Sequence, residues 1–187
     1  MFGQRALIGV GLCVSLGACA HPTGTPPDAQ LAPAEASHHV QQLLPPWWST
    51  LFGRYDAATE SEIRRLNDQA RSLNHSRGAL DFHPTLETAA RAYSRELAGG
   101  VRNPRNPIDR VRDTGMKLGV AYFYVRVTPA KANLAADLMQ APQGGWLNDS
   151  SIRPVLMSNQ LTDIGVGAFR ARTGMAYVTV VLVQRTL

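Results

Sequence analysis

The fold of this chain is decided by the stretch Asp163-Ile-Gly-Val-Gly-Ala-Phe-Arg170, with Ala171-Arg-Thr-Gly-Met175 and Ala176-Tyr-Val-Thr-Val-Val-Leu-Val183 after it. Two β-rich runs flank a short polar segment that contains Thr173-Gly174, and glycine supplies the positive φ of a tight return. The pattern therefore predicts an antiparallel hairpin. Its second arm, Tyr177 to Val183, is almost continuously apolar, which is typical of a strand covered on both faces.

Amphipathic segments upstream are predicted to cover this strand. Thr59-Glu-Ser-Glu62 matches a capping box, and the helix that it opens is predicted to run to about Asn74. A second helix is predicted to begin at Pro84 and to end at Gly99-Gly100. Val120 to Val127 alternates as a half-exposed strand does. Shorter helices are predicted at Pro107 to Asp113 and Ala130 to Met139, and a helical or turn piece is predicted at Ser150 to Met157. This order of elements predicts an α+β fold.

The first 46 residues are predicted to lie outside the folded domain, which takes residues 47–187. Residues 1–18 are predicted to be an export signal, because Arg5 precedes an apolar run, Ala6 to Leu16, too short to span a bilayer as a permanent helix. Leu16-Gly-Ala-Cys19 then resembles the lipobox of bacterial lipoproteins, which implies that Cys19 carries diacylglycerol and begins the mature chain. The alternative is a plain signal peptide with a chance cysteine. Residues 19–46 are rich in Pro and Ala, and they predict an extended tether.

Composition narrows the class of partner. The formal charge is +5 and 17 of the 19 basic residues are Arg, but no basic run with interleaved aromatics appears, so we expect no nucleic-acid partner. A basic surface favours anionic neighbours such as lipid headgroups or wall polymers. The two cysteines are Cys13, in the predicted signal, and Cys19, so the mature domain is predicted to lack disulfides and Cys metal ligands. Ala20 after the cysteine, rather than Asp, indicates by analogy with enterobacterial sorting the outer membrane facing the periplasm, if the source is Gram-negative.

Three segments of the predicted domain follow one family pattern in order and spacing. They are His83-Pro-Thr-Leu-Glu-Thr-Ala-Ala90, Pro107-Ile-Asp-Arg110 followed by Thr114-Gly115, and Asp163-Ile-Gly-Val-Gly167. They resemble, respectively, the second helix, the Arg-x-x-x-Gly segment and the closing hairpin of the CAP superfamily (cysteine-rich secretory proteins, antigen 5 and pathogenesis-related 1) in its short bacterial form. The resemblance covers about Ser61 to Val183. It implies an α-β-α sandwich with a three-stranded antiparallel sheet.

The characteristic site of that family is a cleft tetrad of two His and two acidic residues that can hold a divalent metal. The resemblance implies the first His near Val101-Arg102-Asn103, a Glu within Tyr122 to Arg126, and the second His in Pro142-Gln-Gly-Gly-Trp146 or just after. This chain has no His after His83 and no Glu after Glu96. We therefore expect no metal, no cofactor and no catalytic residue in the cleft.

The candidate ligand-binding residues of the cleft are His83, Arg102, Tyr122, Tyr124 and Trp146. Two of them have structural alternatives. Trp146 either lines the cleft mouth or packs in the core. Arg102 belongs to a cluster with Arg105, Arg110 and Arg112, which is either a solvated ion-pair face with Asp109 and Asp113 or a site for an anion. The pair Trp47-Trp48 likewise either caps the core, which we favour, or rests in the lipid interface.

These observations favour a membrane-anchored, non-enzymatic CAP-like module that binds an envelope protein, wall polymer or lipid, or supports the envelope structurally. Two other classes stay open. The first is a carrier of lipid or another hydrophobic ligand, since some members of the family bind sterols or fatty acids. The second is a hydrolase with an unconventional site that uses His75, His83 and Asp81.

Overall fold

The computed structural model describes residues 53–74 and 78–186, which form one sheet with helices against both of its faces. The strands are β1 (Gly53–Tyr55), β2 (Asp81–Phe82), β3 (Leu118–Pro129), β4 (Asp163–Ala171) and β5 (Met175–Arg185). The helices are α1 (Ala57–Leu73), α2 (Pro84–Ala98), α3 (Pro107–Arg112), α4 (Leu134–Gln140) and α5 (Arg153–Leu156). The predicted signal, Cys19, the tether, Trp47-Trp48 and His75 lie outside the described residues.

The predicted hairpin is confirmed. Strands β4 and β5 pair antiparallel from Asp163 opposite Val183 to Arg170 opposite Ala176, and Gly174 in the turn has a φ of +78°. Strand β5 also pairs with β3 along its other edge, so it lies in the middle of the sheet. Its side chains from position 178 to position 183 are all buried, as the apolar run predicts.

The sheet has five strands, and the expected number of three is wrong. The order is β1-β4-β5-β3, and β2 also pairs with β4, in parallel. Strands β1 and β2 cover the two halves of the outer edge of β4, with Gly53 opposite Ala171 and Asp81 opposite Asp163. They contain three and two residues, too few for a period-two pattern to show in the sequence. The long strands β3, β4 and β5 form the antiparallel core that the CAP resemblance implies.

Two apolar cores lie on opposite faces of the sheet. The first joins α1, α4 and α5 to side chains of β4 and β5 such as Val166, Val180 and Leu182. The second joins α2 and α3 to Val181 and Val183, the alternate residues of β5. Since successive strand residues point to opposite faces, the continuous apolar run of β5 serves both cores. The layers are therefore helix, sheet and helix.

The N-cap of helix α1 lies three residues earlier than the capping box predicts. Asp56 is its N-cap: the Asp56 carboxylate accepts hydrogen bonds from the Thr59 amide at 3.1 Å and from the Thr59 hydroxyl at 2.5 Å. Asp56 also pairs with Arg170 of β4, so the cap ties α1 to the sheet. Glu62 pairs with Arg65 on the exposed side of the helix instead of reaching back to its start. None of the described helices has both the length and the apolar character needed to cross a bilayer.

Helix α2 runs along β4 at very close range because two glycines of β4 face it. A Cβ atom on Gly165 would lie 2.3 Å from the Leu86 carbonyl carbon, and one on Gly167 would lie 2.2 Å from the Arg91 amide nitrogen. The Ser94 hydroxyl then donates to the Gly167 carbonyl at 2.9 Å. The Ile-Gly-Val-Gly motif thus specifies how α2 sits on the sheet.

Candidate functional site

Strand β3 brings two of the predicted site residues together. Tyr122, Tyr124 and Arg126 alternate along the strand and point to the face of the sheet that carries the first core; we call them the tyrosine strip. Tyr124 packs against that core, whereas Tyr122 is 39% exposed. The Arg126 guanidinium donates to the Gly144 carbonyl at 2.6 Å, which holds the loop after α4 beside the strip. The strip is a half-exposed aromatic surface with one cation.

An acidic residue stands close to the cation of the strip. Hydrogen bonds from the Ser151 hydroxyl and amide lower the pKa of the Asp149 carboxyl, and the charge of Arg126 adds to this effect. Asp149 therefore stays ionised at neutral pH. The field at the strip thus includes the positive charge of Arg126 and the negative charge of Asp149.

Trp146 lies beneath this surface and not at a cleft mouth. Its side chain is 1% exposed and belongs to the first core. The backbone fixes it there, because the Trp146 amide donates to the Leu138 carbonyl at 2.8 Å and the next amide donates to the Met139 carbonyl at 2.9 Å. Of the two alternatives for Trp146, packing is the one that the structure shows.

Arg102 lies apart from the strip, in the exposed loop after α2. The other arginines of its cluster are paired with acids: Arg105 with Asp113, Arg110 with Glu96 at 2.6 Å, and Arg112 with Asp109 at 3.2 Å. Of the two alternatives for the cluster, the ion-pair face therefore applies to Arg105, Arg110 and Arg112. Arg102 makes no ion pair with any residue in the described ranges.

His83 is the N-cap of α2, at the other end of the sheet from the hairpin turn. Its Nδ1 accepts a hydrogen bond from the Thr85 amide at 3.2 Å, and its own amide donates to the Ile164 carbonyl at 3.2 Å. Burial lowers the pKa of the His83 imidazole; the charge of Asp163 opposes this effect and that of Arg185 adds to it. The neutral imidazole is favoured, as the cap requires.

The acid that acts on His83 is Asp163, the first residue of β4, and not its sequence neighbour Asp81. Asp163 is 1% exposed, and its Oδ2 accepts from the Thr162 hydroxyl at 2.5 Å. Arg185 Nε lies 3.4 Å from Asp163 Oδ1 without hydrogen-bond geometry, and Oδ1 has no hydrogen-bond donor among the described residues. Sequence reasoning missed Asp163 and Arg185 because strand pairing alone brings them near His83.

A pH-dependent stability follows from this cap. Because the pKa of His83 is below its ordinary value of 6.5 in the folded chain, its contribution is complete above pH 6.5 and is lost as the pH falls through the lowered value. Protonation of Nδ1 removes the acceptor for Thr85, and the loss of an N-cap costs about 1 kcal/mol. We expect the unfolding free energy to fall by up to about that amount between pH 8 and pH 5.

The matched variant is His83→Ser, which keeps an acceptor for the Thr85 amide but does not titrate in this range. Urea denaturation at several pH values compares the two chains. Identical pH profiles for the wild type and His83→Ser would show that His83 does not act as a titrating cap.

Potential metal ligands are scattered across the described ranges. Within residues 53–74 and 78–186, no three His, Cys, Asp or Glu side chains converge as ligands of one ion would. His75, which lies outside these ranges, is not part of that statement. The expectation of a metal-free cleft stays a prediction.

Comparison with solved structures shows that the fold is CAP-like. An outer surface protein from Borrelia burgdorferi is similar at a TM-score of 0.56 and 16% identity, over 68% of this chain and 96% of that one. A cysteine-rich secretory protein from Staphylococcus aureus is similar at a TM-score of 0.53 and 13% identity, over 69% of this chain and 39% of that one. No protein-family model and no curated protein matches the chain. At these identities the similarity concerns the fold alone, and it confirms the fold that the three sequence segments predict.

Proposed function

We propose that this chain is an exported lipoprotein, anchored through Cys19, whose CAP-like domain is a non-catalytic binding or structural module of the cell envelope. The observation that carries the proposal is the order of Leu16-Gly-Ala-Cys19, a Pro-rich tether and a CAP-like fold in one chain. An acylated cysteine partitions into a bilayer at about 0.8 kcal/mol for each buried methylene, so several acyl chains anchor stably. The tether then limits how far the domain can lie from the lipid.

The non-catalytic part of the proposal rests on which side chains occupy the candidate surface. The strand that the resemblance associates with an acidic ligand carries Tyr122, Tyr124 and Arg126. Aromatic rings bury large apolar area at low cost in conformational entropy, and Tyr is enriched in binding surfaces for this reason. The tyrosine strip is therefore suited to contact a partner, and we assign the binding role to it.

The location that we propose is the outer membrane, facing the periplasm, if the source is Gram-negative. The sequence supports export through the predicted signal, and Ala20 supports the outer membrane. The Borrelia protein of similar fold is named an outer surface protein, which supports an exported location at the envelope. The partners that suit the proposal are an envelope protein, a wall polymer or a lipid.

The anchor is tested by the variant Cys19→Ser. We expect the wild type to sediment with membranes and to carry the mass of attached acyl chains, and the variant to lose both properties. Cys13→Ser, which changes a cysteine of the predicted signal, is the matched control and should leave acylation intact. Membrane fractionation and mass spectrometry of the N-terminal peptide measure the outcome, and an unmodified Cys19 in the native protein would refute the anchor.

The non-catalytic assignment has its own test on the purified chain. A hydrolytic activity that zinc supports and a chelator abolishes would contradict it. Lipid that co-purifies with the non-acylated chain would instead favour the carrier of hydrophobic ligands. These two outcomes separate the proposal from the alternatives of other classes.

A further inference from the structure

One end of the sheet gathers four strand termini. Strand β1 begins there, β3 and β4 end there, and β5 begins there, with Gly53 opposite Ala171 and Pro129 opposite Met175. We call it the Gly53 end. A shallow depression of about 350 Å³ lies at this end, lined by Gly53, Arg54, Ala130, Arg170, Ala171 and Arg172. Its lining combines three small residues with three arginines.

Two of these guanidinium groups have no acidic partner. Arg54 and Arg172 are exposed, and neither guanidinium group makes a hydrogen bond or an ion pair with another described residue. Arg170 is oriented by Asp56 and donates to the Lys131 carbonyl at 3.0 Å. Guanidinium groups present a planar fork of donors that matches phosphate oxygens. The guanidinium groups of Arg54 and Arg172 are therefore free donors of the kind that bind phosphate esters.

The acids near the Gly53 end do not cancel these charges. Asp56 is paired with Arg170, and Asp137 is paired with Lys131 at 2.9 Å. The positive charges of Arg54 and Arg172 are consequently not neutralised by these acids. An exposed cation next to an anionic membrane contributes about 1 kcal/mol to binding, which corresponds to about fivefold in the partition coefficient.

Gly53, the first described residue, lies at this same end. Residues 19–52 precede Gly53, and a chain of that length can extend on the order of 100 Å. An anchor at Cys19 alone therefore sets a maximum distance from the bilayer but no orientation of the domain. Of all surfaces of the domain, the Gly53 end can reach the lipid with the least extension of the residues between it and Cys19.

We propose that the Gly53 end docks on anionic phospholipid headgroups, with Arg54 and Arg172 on the phosphates and Arg170 beside them. The inference rests on the proposed function, because it gives the anchored domain a preferred orientation. Docking in this way turns the tyrosine strip sideways to the membrane, where a partner can reach it. It also gives a role to the unpaired arginines beside Gly53.

The test uses residues 19–187 with Cys19→Ser, which contain every described element of the fold and cannot be acylated at that position. Co-sedimentation is measured with vesicles of phosphatidylcholine alone and with vesicles of equal parts phosphatidylcholine and phosphatidylglycerol, at low and high salt. We expect binding to the anionic vesicles only, weakened by salt. The pair Arg54→Gln and Arg172→Gln should lower the partition coefficient on the order of 25-fold.

The matched control is the pair Lys117→Gln and Arg153→Gln, which removes the same charge from exposed positions toward the opposite end of the sheet. An equal loss in this pair would show a general charge effect and would overturn the proposal, as would equal binding to neutral vesicles. A melting curve of each variant checks that the fold is intact. Acylation is measured separately, from the mass of the native chain with Cys19. A negative result for the anchor can therefore be distinguished from a negative result for the docking surface.

Discussion

Replacing Glu60 by Ala is expected to lower the free energy of unfolding by about 3–5 kcal/mol, since it removes a buried acid that holds both a partly buried arginine and a buried amide. The Glu60 side chain is 1% exposed and accepts hydrogen bonds from Arg91 Nε at 3.0 Å and from Arg91 Nη2 at 2.5 Å. Its Oε1 also accepts from the Ala168 amide at 2.9 Å, on the outer edge of β4. The substitution therefore removes one of the two acidic partners of Arg91 and the acceptor of a buried amide. Urea denaturation measures the loss.

A second acid makes this site sensitive to the loss of Glu60. Glu87 pairs with Arg91 one helical turn earlier on α2. Burial raises the pKa of the Glu87 carboxyl; Arg91 opposes this effect and the negative charge of Glu60 adds to it. Once Glu60 is gone, Glu87 is the remaining acid for Arg91, and it does not reach the Ala168 amide that Glu60 holds. The partial compensation by Glu87 places the expected loss in the lower half of that range.

Two variants separate the contributions. Glu62→Ala is the matched control on the same helix, because Glu62 forms an exposed pair with Arg65 and its removal should change stability little. Glu60→Gln keeps an acceptor for the Ala168 amide but loses the charge, so its effect should lie between those of Glu60→Ala and the control. If Glu60→Ala is no more destabilising than Glu62→Ala, the buried pair does not stabilise the fold as described.

Local signals in the sequence are enough to predict the central part of the fold. The hairpin follows from a turn glycine between two β-rich runs, and α2 follows from Pro84 at its start and Gly99 at its end. Both features depend on residues that are neighbours along the chain. The placement of Tyr122 and Tyr124 on one face also follows from the period of a strand. The position of these two tyrosines on the candidate surface was therefore predictable from the sequence.

Contacts between residues that are far apart along the chain could not be predicted from local sequence patterns. Glu60 and Arg91 are 31 residues apart, and Asp56 and Arg170 are 114 residues apart. No local sequence pattern therefore predicts either ion pair. The capping-box pattern predicts Thr59 as the N-cap of α1, whereas the observed N-cap is Asp56, three residues earlier. Both residues are good N-caps, so the local pattern does not distinguish them. The pairing of β2 with β4 likewise brings Asp163 to His83 without a signal at either residue. Such contacts are consequences of the assembled sheet.

Replacing Gly167 by Ala is expected to lower the free energy of unfolding by about 2–3 kcal/mol, because the added methyl group collides with the backbone of α2. A Cβ atom at this position would lie 2.2 Å from the Arg91 amide nitrogen and 2.3 Å from the Ala90 carbonyl carbon. Backbone atoms cannot rotate away, so α2 has to shift as a unit. The shift would stretch the hydrogen bond from the Ser94 hydroxyl to the Gly167 carbonyl and the contact of that hydroxyl with the Thr179 hydroxyl at 2.8 Å.

The matched control is Gly99→Ala, at the C-cap of α2. Gly99 has a φ of −79°, which any residue adopts, and the nearest atoms to an added Cβ lie at an ordinary 3.5 Å. This variant should be neutral or slightly more stable, since Ala restricts the unfolded chain more than Gly does. Equal stability of Gly167→Ala and Gly99→Ala in urea would mean that α2 does not rest on the strand backbone. A selective loss at Gly167 would instead show that the second glycine of Ile-Gly-Val-Gly is required by the contact between helix and strand, independently of any ligand.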